Sequence, residues 1–129
     1  MISRQKTIRE SVTSLRKQLL SKKIVFKKLL TPKEWRYAFS QRHPAEPLAA
    51  RIAAKKACLA LLKVPSAVRK NWFRDIEIVR DSVGRPHLKL SARFKKKWGV
   101  GPRASFFVSL AHERDAAIAW LVIFDAKAR

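Results

Sequence analysis

Between Ile8 and Leu30 the apolar residues Ile8, Val12, Leu15, Leu19 and Leu20 return at three- and four-residue steps, with Arg9, Arg16, Lys17, Lys22 and Lys23 between them. That spacing marks one face of a 3.6-residue helix, so an amphipathic helix with a basic outer face is expected there. Thr31-Pro32-Lys33-Glu34 has the form of a capping box: a hydroxyl for the first turn and a glutamate three residues on that reaches back. It predicts a short helix through Phe39. His43-Pro44-Ala45-Glu46-Pro47 breaks the pattern, and from Leu48 to Leu62 an alanine-rich run is apolar round most of its circumference. Such a run predicts a long buried helix, ended by Val64-Pro65 and followed by a connecting loop or short turn from Ser66 to Trp72.

Beyond Trp72 the period changes. Phe73 to Val79 alternates around Ile76 and Ile78, Asp81-Ser82-Val83-Gly84 supplies turn residues, and Arg85 to Leu90 alternates again, which reads as a β-hairpin. Ser91 to Trp98 is a basic helical segment closed by Gly99 and Gly101. Ser105 to Leu110 and Ala116 to Phe124 are two strands joined at His112-Glu113-Arg114-Asp115. Helices first, then hairpin, helix and hairpin, argue for an α+β fold in which antiparallel hairpins pack on the long buried helix.

The chain has 129 residues, the size of one domain, and residues 1–129 are expected to share a single core. A hydrophobic content of 47% sets it apart from disordered chains, and its apolar runs are far shorter than the ~20 residues a membrane span needs. No membrane association is expected. The charged start, MISRQKTIRE, has no apolar stretch of the signal-peptide kind and resembles a transit peptide only in being basic; Cys58, the lone cysteine, suits a reducing cytoplasm. Thirty Lys and Arg against nine Asp and Glu give +21, so the partner should be acidic: nucleic acid, an acidic protein or a phosphate-rich small molecule.

Three separated blocks narrow this choice. LTPKEWRYAFSQRHPAEPLAARIAAKKA, RDIEIVRDSVGRPHLKL and FFVSLAHERDAAIAWLVIF together resemble holo-acyl-carrier-protein synthase, the small type of 4'-phosphopantetheinyl transferase, in order and spacing over residues 26–124. The resemblance implies that family's fold, commonly a trimer with sites between subunits. It also implies magnesium-dependent transfer of phosphopantetheine from coenzyme A to a serine of acyl carrier protein. Breaking a pyrophosphate calls for a cation clamped on its oxygens, and hard cations want carboxylates. Family members supply an Asp from the first strand and a Glu from the buried helix, with a lysine one turn after that Glu.

Here the Glu position is Lys56 and the lysine position is Ala60, while the Asp position falls near Thr7 or Ile8, with Glu10 the nearest carboxylate. No catalytic residue and no metal ligand is therefore assigned, and Mg²⁺ is not expected to settle there. Coenzyme-contacting positions of the family are matched by Arg51, Gly84, Arg85, Pro86, Ser109 and His112, whereas Ala111 stands where a hydroxyl is usual. Lys55 and Lys56 on an apolar helix either face a cleft, where Lys56 could hold a pyrophosphate as a point charge, or meet acids from another segment; the cleft is the expectation. His112 reads as a donor to adenine or phosphate or as the cap of a tight turn, and Gly84-Arg85-Pro86 as a ligand loop or simply hairpin turn chemistry. The four tryptophans suit a core or a subunit seam better than a base-stacking platform.

Arg9, Arg16, Lys17, Lys22 and Lys23 form a basic surface on which the resemblance places acidic acyl carrier protein, against the plainer reading of a solvated face. The leading expectation is a degenerate family member that binds acyl carrier protein, coenzyme A or both, as a homotrimer or mixed oligomer. Two alternatives stay open: an active transferase whose carboxylates come from elsewhere, for example Glu10 and Glu113, and a nucleic-acid-binding adaptor with Arg93 and Lys95 to Lys97 as a second basic patch.

Overall fold

The computed structural model describes residues 2–125. Strand β1 (Ile2–Ser11) leads into helix α1 (Val12–Leu29), α2 (Pro32–Phe39) and α3 (Ala45–Leu61). Two short 3-10 turns then precede the hairpin β2 (Ile76–Arg80) and β3 (Pro86–Leu90), followed by α4 (Ala92–Trp98) and the hairpin β4 (Ala104–Glu113) and β5 (Ala116–Asp125). The α+β expectation and both hairpins hold. Strand β1 corrects the expectation of helix from Ile8: it pairs antiparallel along β5, giving a three-stranded sheet in the order β1-β5-β4, while β2 and β3 form a separate two-stranded sheet.

Ser11 explains where strand becomes helix. Its hydroxyl accepts from the Ser14 amide as N-cap, and α1 has no acid in its own first turn. The missing negative charge comes from the β4–β5 turn, where the Asp115 carboxylate accepts from the Thr13 amide at 2.8 Å and from the hydroxyls of Ser11 and Thr13. A carboxylate there satisfies orphan amides and favours the helix dipole. The hydroxyl of Thr13 leads the interactions that hold the Asp115 carboxyl below the usual carboxylate range.

Alanine makes α3 the centre of the core. Ala49, Ala53, Ala54 and Ala57 are fully buried, as are Ala117 and Ala119 on β5, so helix and sheet approach closely where no large side chain intervenes. Leu48, Leu59 and Leu121 belong to the same buried cluster, each contributing about 1.5–3 kcal/mol over an exposed position. Alternation along β5 leaves Trp120 on the opposite sheet face, with Phe107 of β4 beside it at 5.7 Å between ring centroids.

The capping box forms as expected, and Glu34 extends it into the core. Its carboxylate accepts from the Thr31 amide at 2.9 Å, from the Ile78 amide of β2 at 2.8 Å, and from Lys55 Nζ at 2.6 Å. Lys55, with no exposed surface, donates also to the Leu29 and Phe73 carbonyls. Burial depresses its pKa, against the pull of Glu34.

Two outcomes follow from these contacts. Lys55→Ala or Glu34→Ala should each lose about 3–5 kcal/mol in urea unfolding, because an uncompensated charge is left inside. Combined Glu34→Leu and Lys55→Met should cost clearly less than the sum of their single effects; additive costs would show the pair is not coupled. A carboxyl lowered in the folded state stabilises above the unfolded value of about 3.9, and that contribution is lost as pH falls through the folded value. Melting temperature below about pH 4 should therefore fall less steeply in Asp115→Asn than in the wild type.

Candidate ligand-binding site

Adjacent residues on a helix point about 100° apart, and the two lysines of α3 go to different places. Lys55 enters the core between α2 and the turn at Phe73, where three acceptors saturate its three donors. No ligand reaches it, which corrects the expectation that Lys55 faces a cleft. Lys56 turns toward β1 instead, and its Nζ lies 2.9 Å from Glu10 Oε2, with both side chains partly exposed. The strand carboxylate facing position 56 is therefore Glu10. Thr7 pairs with Trp120 on the far sheet face, and Ile8 packs against the core.

Lys56 and Ala60 border a recess of about 780 Å³ whose other lining residues include Lys6, Arg69 and Lys70. A second cleft, of about 260 Å³, joins two predicted residues, Arg51 and His112, with three that the sequence reading passed over, Tyr37, Arg42 and Arg80. Arg51 is 1% exposed; its guanidinium stacks on Tyr37 at 4.5 Å and donates to the Pro47 carbonyl, while its buried Nε has no partner. Arg80 lies over the same ring at 5.3 Å. Burial first, and then the nearby Arg80, lower the Arg51 pKa. Two guanidiniums held close on one aromatic ring make a place suited to an anion.

Arg85, Pro86 and Ser109 line a third recess, of about 500 Å³, on the β3–β4 side. Gly84, at φ +87°, belongs to the turn rather than to that lining, and Asp81 holds the turn by accepting from the Val83 and Arg85 amides. Hydrogen bonding from His87, with those amides, keeps the Asp81 carboxyl low. The predicted coenzyme-contacting residues are thus divided among three recesses, a turn and the core.

Of the basic surface, Arg16 and Lys23 border a groove of about 430 Å³ floored by Leu19, Leu20 and Phe39, and Lys23 lies over the rings of Trp35 and Phe39. Lys22 has non-helical φ and ψ and kinks α1. Arg9 stands apart on the outer sheet face, 4.0 Å from Glu113. Leu20, placed by the helical pattern on the buried stripe, is 88% exposed.

No family model matches the chain. Holo-[acyl-carrier-protein] synthase of Geobacter sp. strain M21 is 33% identical over 99 residues, 77% of this chain and 78% of that protein. The chain belongs to the holo-acyl-carrier-protein synthase family. The synthase of Clostridium novyi is 34% identical over 96 residues, 74% of this chain and 68% of that one. Among solved structures, the Chronobacterium ammoniagenes ACPS–CoA complex superposes with a TM-score of 0.87 at 22% identity, over 98% of this chain and 100% of that one, a likeness of fold. The Mycobacterium tuberculosis synthase gives 0.68 at 30% identity, over 95% and 96%.

Membership makes the residues at the family's metal position a direct question of fit. The donor set offers one carboxylate, Glu10, already bound to an ammonium, and among the described residues no three His, Cys, Asp or Glu side chains gather in a ligand group. A divalent cation would have to displace Lys56 and sit beside its charge. Glu113 brings no help within one chain: it pairs with Ala116 and Glu10 with Ala117, neighbours on opposite faces of the sheet. The residues present do not fit the metal.

Proposed function

We propose that this family member binds coenzyme A, acyl carrier protein or both, and carries out no metal-dependent transfer. The observation that carries this reading is the Lys56–Glu10 ion pair, with Ala60 one turn further along α3 where the resemblance calls for a lysine. The pair leaves no free carboxylate pair for a dication, and Ala60 offers no ammonium at the position where the resemblance calls for one.

Binding has support of its own. Arg51, Arg80, Arg42 and His112 offer a donor-rich cleft for a phosphate. Arg85, Pro86 and Ser109 would face the nucleoside part. Because these recesses are separate within one chain, a homotrimer or a mixed oligomer would be the natural way to bring halves together, and the uncovered Phe107–Trp120 face of the sheet gives it an apolar seam. On α1, Arg16 and Lys23 rim the Leu20–Phe39 groove and suit an acidic carrier that also presents apolar residues. No helix is long and apolar enough to cross a membrane among the described residues; the lone Cys58, buried and free, supports a reducing, cytoplasmic setting.

Incubation with apo acyl carrier protein, coenzyme A and magnesium, followed by mass spectrometry of the carrier, tests the reading. Unmodified carrier is expected, together with measurable coenzyme A or carrier binding by calorimetry; catalytic gain of phosphopantetheine mass would establish the active transferase instead. Arg80→Ala and His112→Ala should weaken coenzyme A binding about tenfold each, as loss of a charge-assisted hydrogen bond does. Carrier binding should weaken with added salt and with Lys23→Glu, since both act on exposed charges.

A further inference from the structure

We infer that Lys56 is a built-in counter-cation: its ammonium stands in for a divalent ion beside Glu10, and the basic recess around it takes a pyrophosphate group directly. This rests on the binding role proposed above and assigns the chemistry by which it works.

Charge balance comes first. Two carboxylates with a dication sum to zero, and so does one carboxylate with one ammonium, so exchanging Glu for Lys at position 56 keeps the local sum that a metal would give. Glu10 is thereby neutralised by the chain itself, and a divalent ion has nothing left to gain there. The recess then adds charge. Lys6, Lys56, Arg69 and Lys70 line it and, among the described residues, no carboxylate does, while Ala60 leaves room beside Lys56.

Donor geometry agrees with this balance. Glu10 uses one of the three N–H donors of Lys56, which leaves two for a ligand oxygen. The Nε of Arg69 is fixed on the Val64 carbonyl at 2.7 Å, which holds its guanidinium in place while sparing the terminal N–H groups. A single ammonium binds phosphate as a point charge and carries half the charge of the dication it replaces. Held this way, a pyrophosphate is retained without the polarisation that helps break it.

Calorimetry with inorganic pyrophosphate in excess EDTA should show binding by the wild type, unimproved when magnesium replaces the chelator. Lys56→Gln, checked for a wild-type circular dichroism spectrum, should bind about tenfold or more weakly. Lys56→Glu, which rebuilds a carboxylate pair with Glu10, should gain Mn²⁺ binding by electron paramagnetic resonance that the wild type lacks. Mn²⁺ binding by the wild type, pyrophosphate binding that needs magnesium, unchanged affinity in Lys56→Gln, or no Mn²⁺ gain in Lys56→Glu would each overturn the inference. Coenzyme A bound equally by the wild type and Lys56→Gln would remove this inference and leave the binding role standing. Wild-type protein that binds neither coenzyme A, pyrophosphate nor carrier would remove both.

Discussion

Lys55 can occupy the core only because Glu34 meets it there, and that meeting fixes how four parts of the chain assemble. Glu34 holds the start of α2 through the Thr31 amide and the edge of β2 through the Ile78 amide; Lys55 holds the end of α1 through Leu29 and the turn at Phe73. Each of these groups would otherwise be a polar atom buried without a partner, which costs more than the bond itself contributes. The ion pair therefore acts less as a source of net stability than as a condition on arrangement: α1, α2, α3 and β2 satisfy it together. Once α3 is set in this way, Arg51 and Lys56 are directed to different clefts.

The adjacent lysine illustrates how little a residue's type decides without its surroundings. Lys55 and Lys56 carry the same side chain on successive positions, yet one is sealed among carbonyls and the other lies partly in solvent against Glu10. Helical rotation separates them, and partners from distant segments decide what each does. A salt bridge as exposed as that of Lys56 contributes about 0–1 kcal/mol to stability, so folding places little demand on it. That weakness leaves the ammonium free to share its donors with a ligand.

Local features were legible in the sequence and distant ones were not. The Thr31–Glu34 capping box, the Asp81–Gly84 turn and the buried alanine helix all rest on contacts within a few residues, and each formed as its spacing required. Strand β1 was hidden because its partner, β5, lies more than a hundred residues away, as the Gln5 to Trp120 hydrogen bond shows. The apolar steps through Ile8 and Val12 fit a helix until that partner is supplied. Register was lost with it, so Thr7 and Ile8 were considered where Glu10 faces Lys56. In the cleft beside Tyr37, Arg51 and His112 were legible through resemblance. Arg80 and Tyr37 were not, since only the packing of both α3 and β2 on α2 brings the two guanidiniums to one ring.

The same accounting bears on the charge of +21. Among the described residues, seven carboxylates have partners within the chain: Glu10 on Lys56, Glu34 on Lys55, Asp75 on Arg93, Asp81 on His87, Glu113 on Arg9, Asp115 at the start of α1, and Glu77 on the Thr31 hydroxyl. An eighth, Glu46, lies at the arginine cleft. Acidic groups have been used to place elements, and those pairings neutralise only a few of the thirty cations. Self-repulsion among the rest works against the compact state and falls when an acidic ligand or protein binds. An acidic partner, on binding, would therefore also stabilise the fold, because the chain's own acids leave most of its cations without a counter-charge.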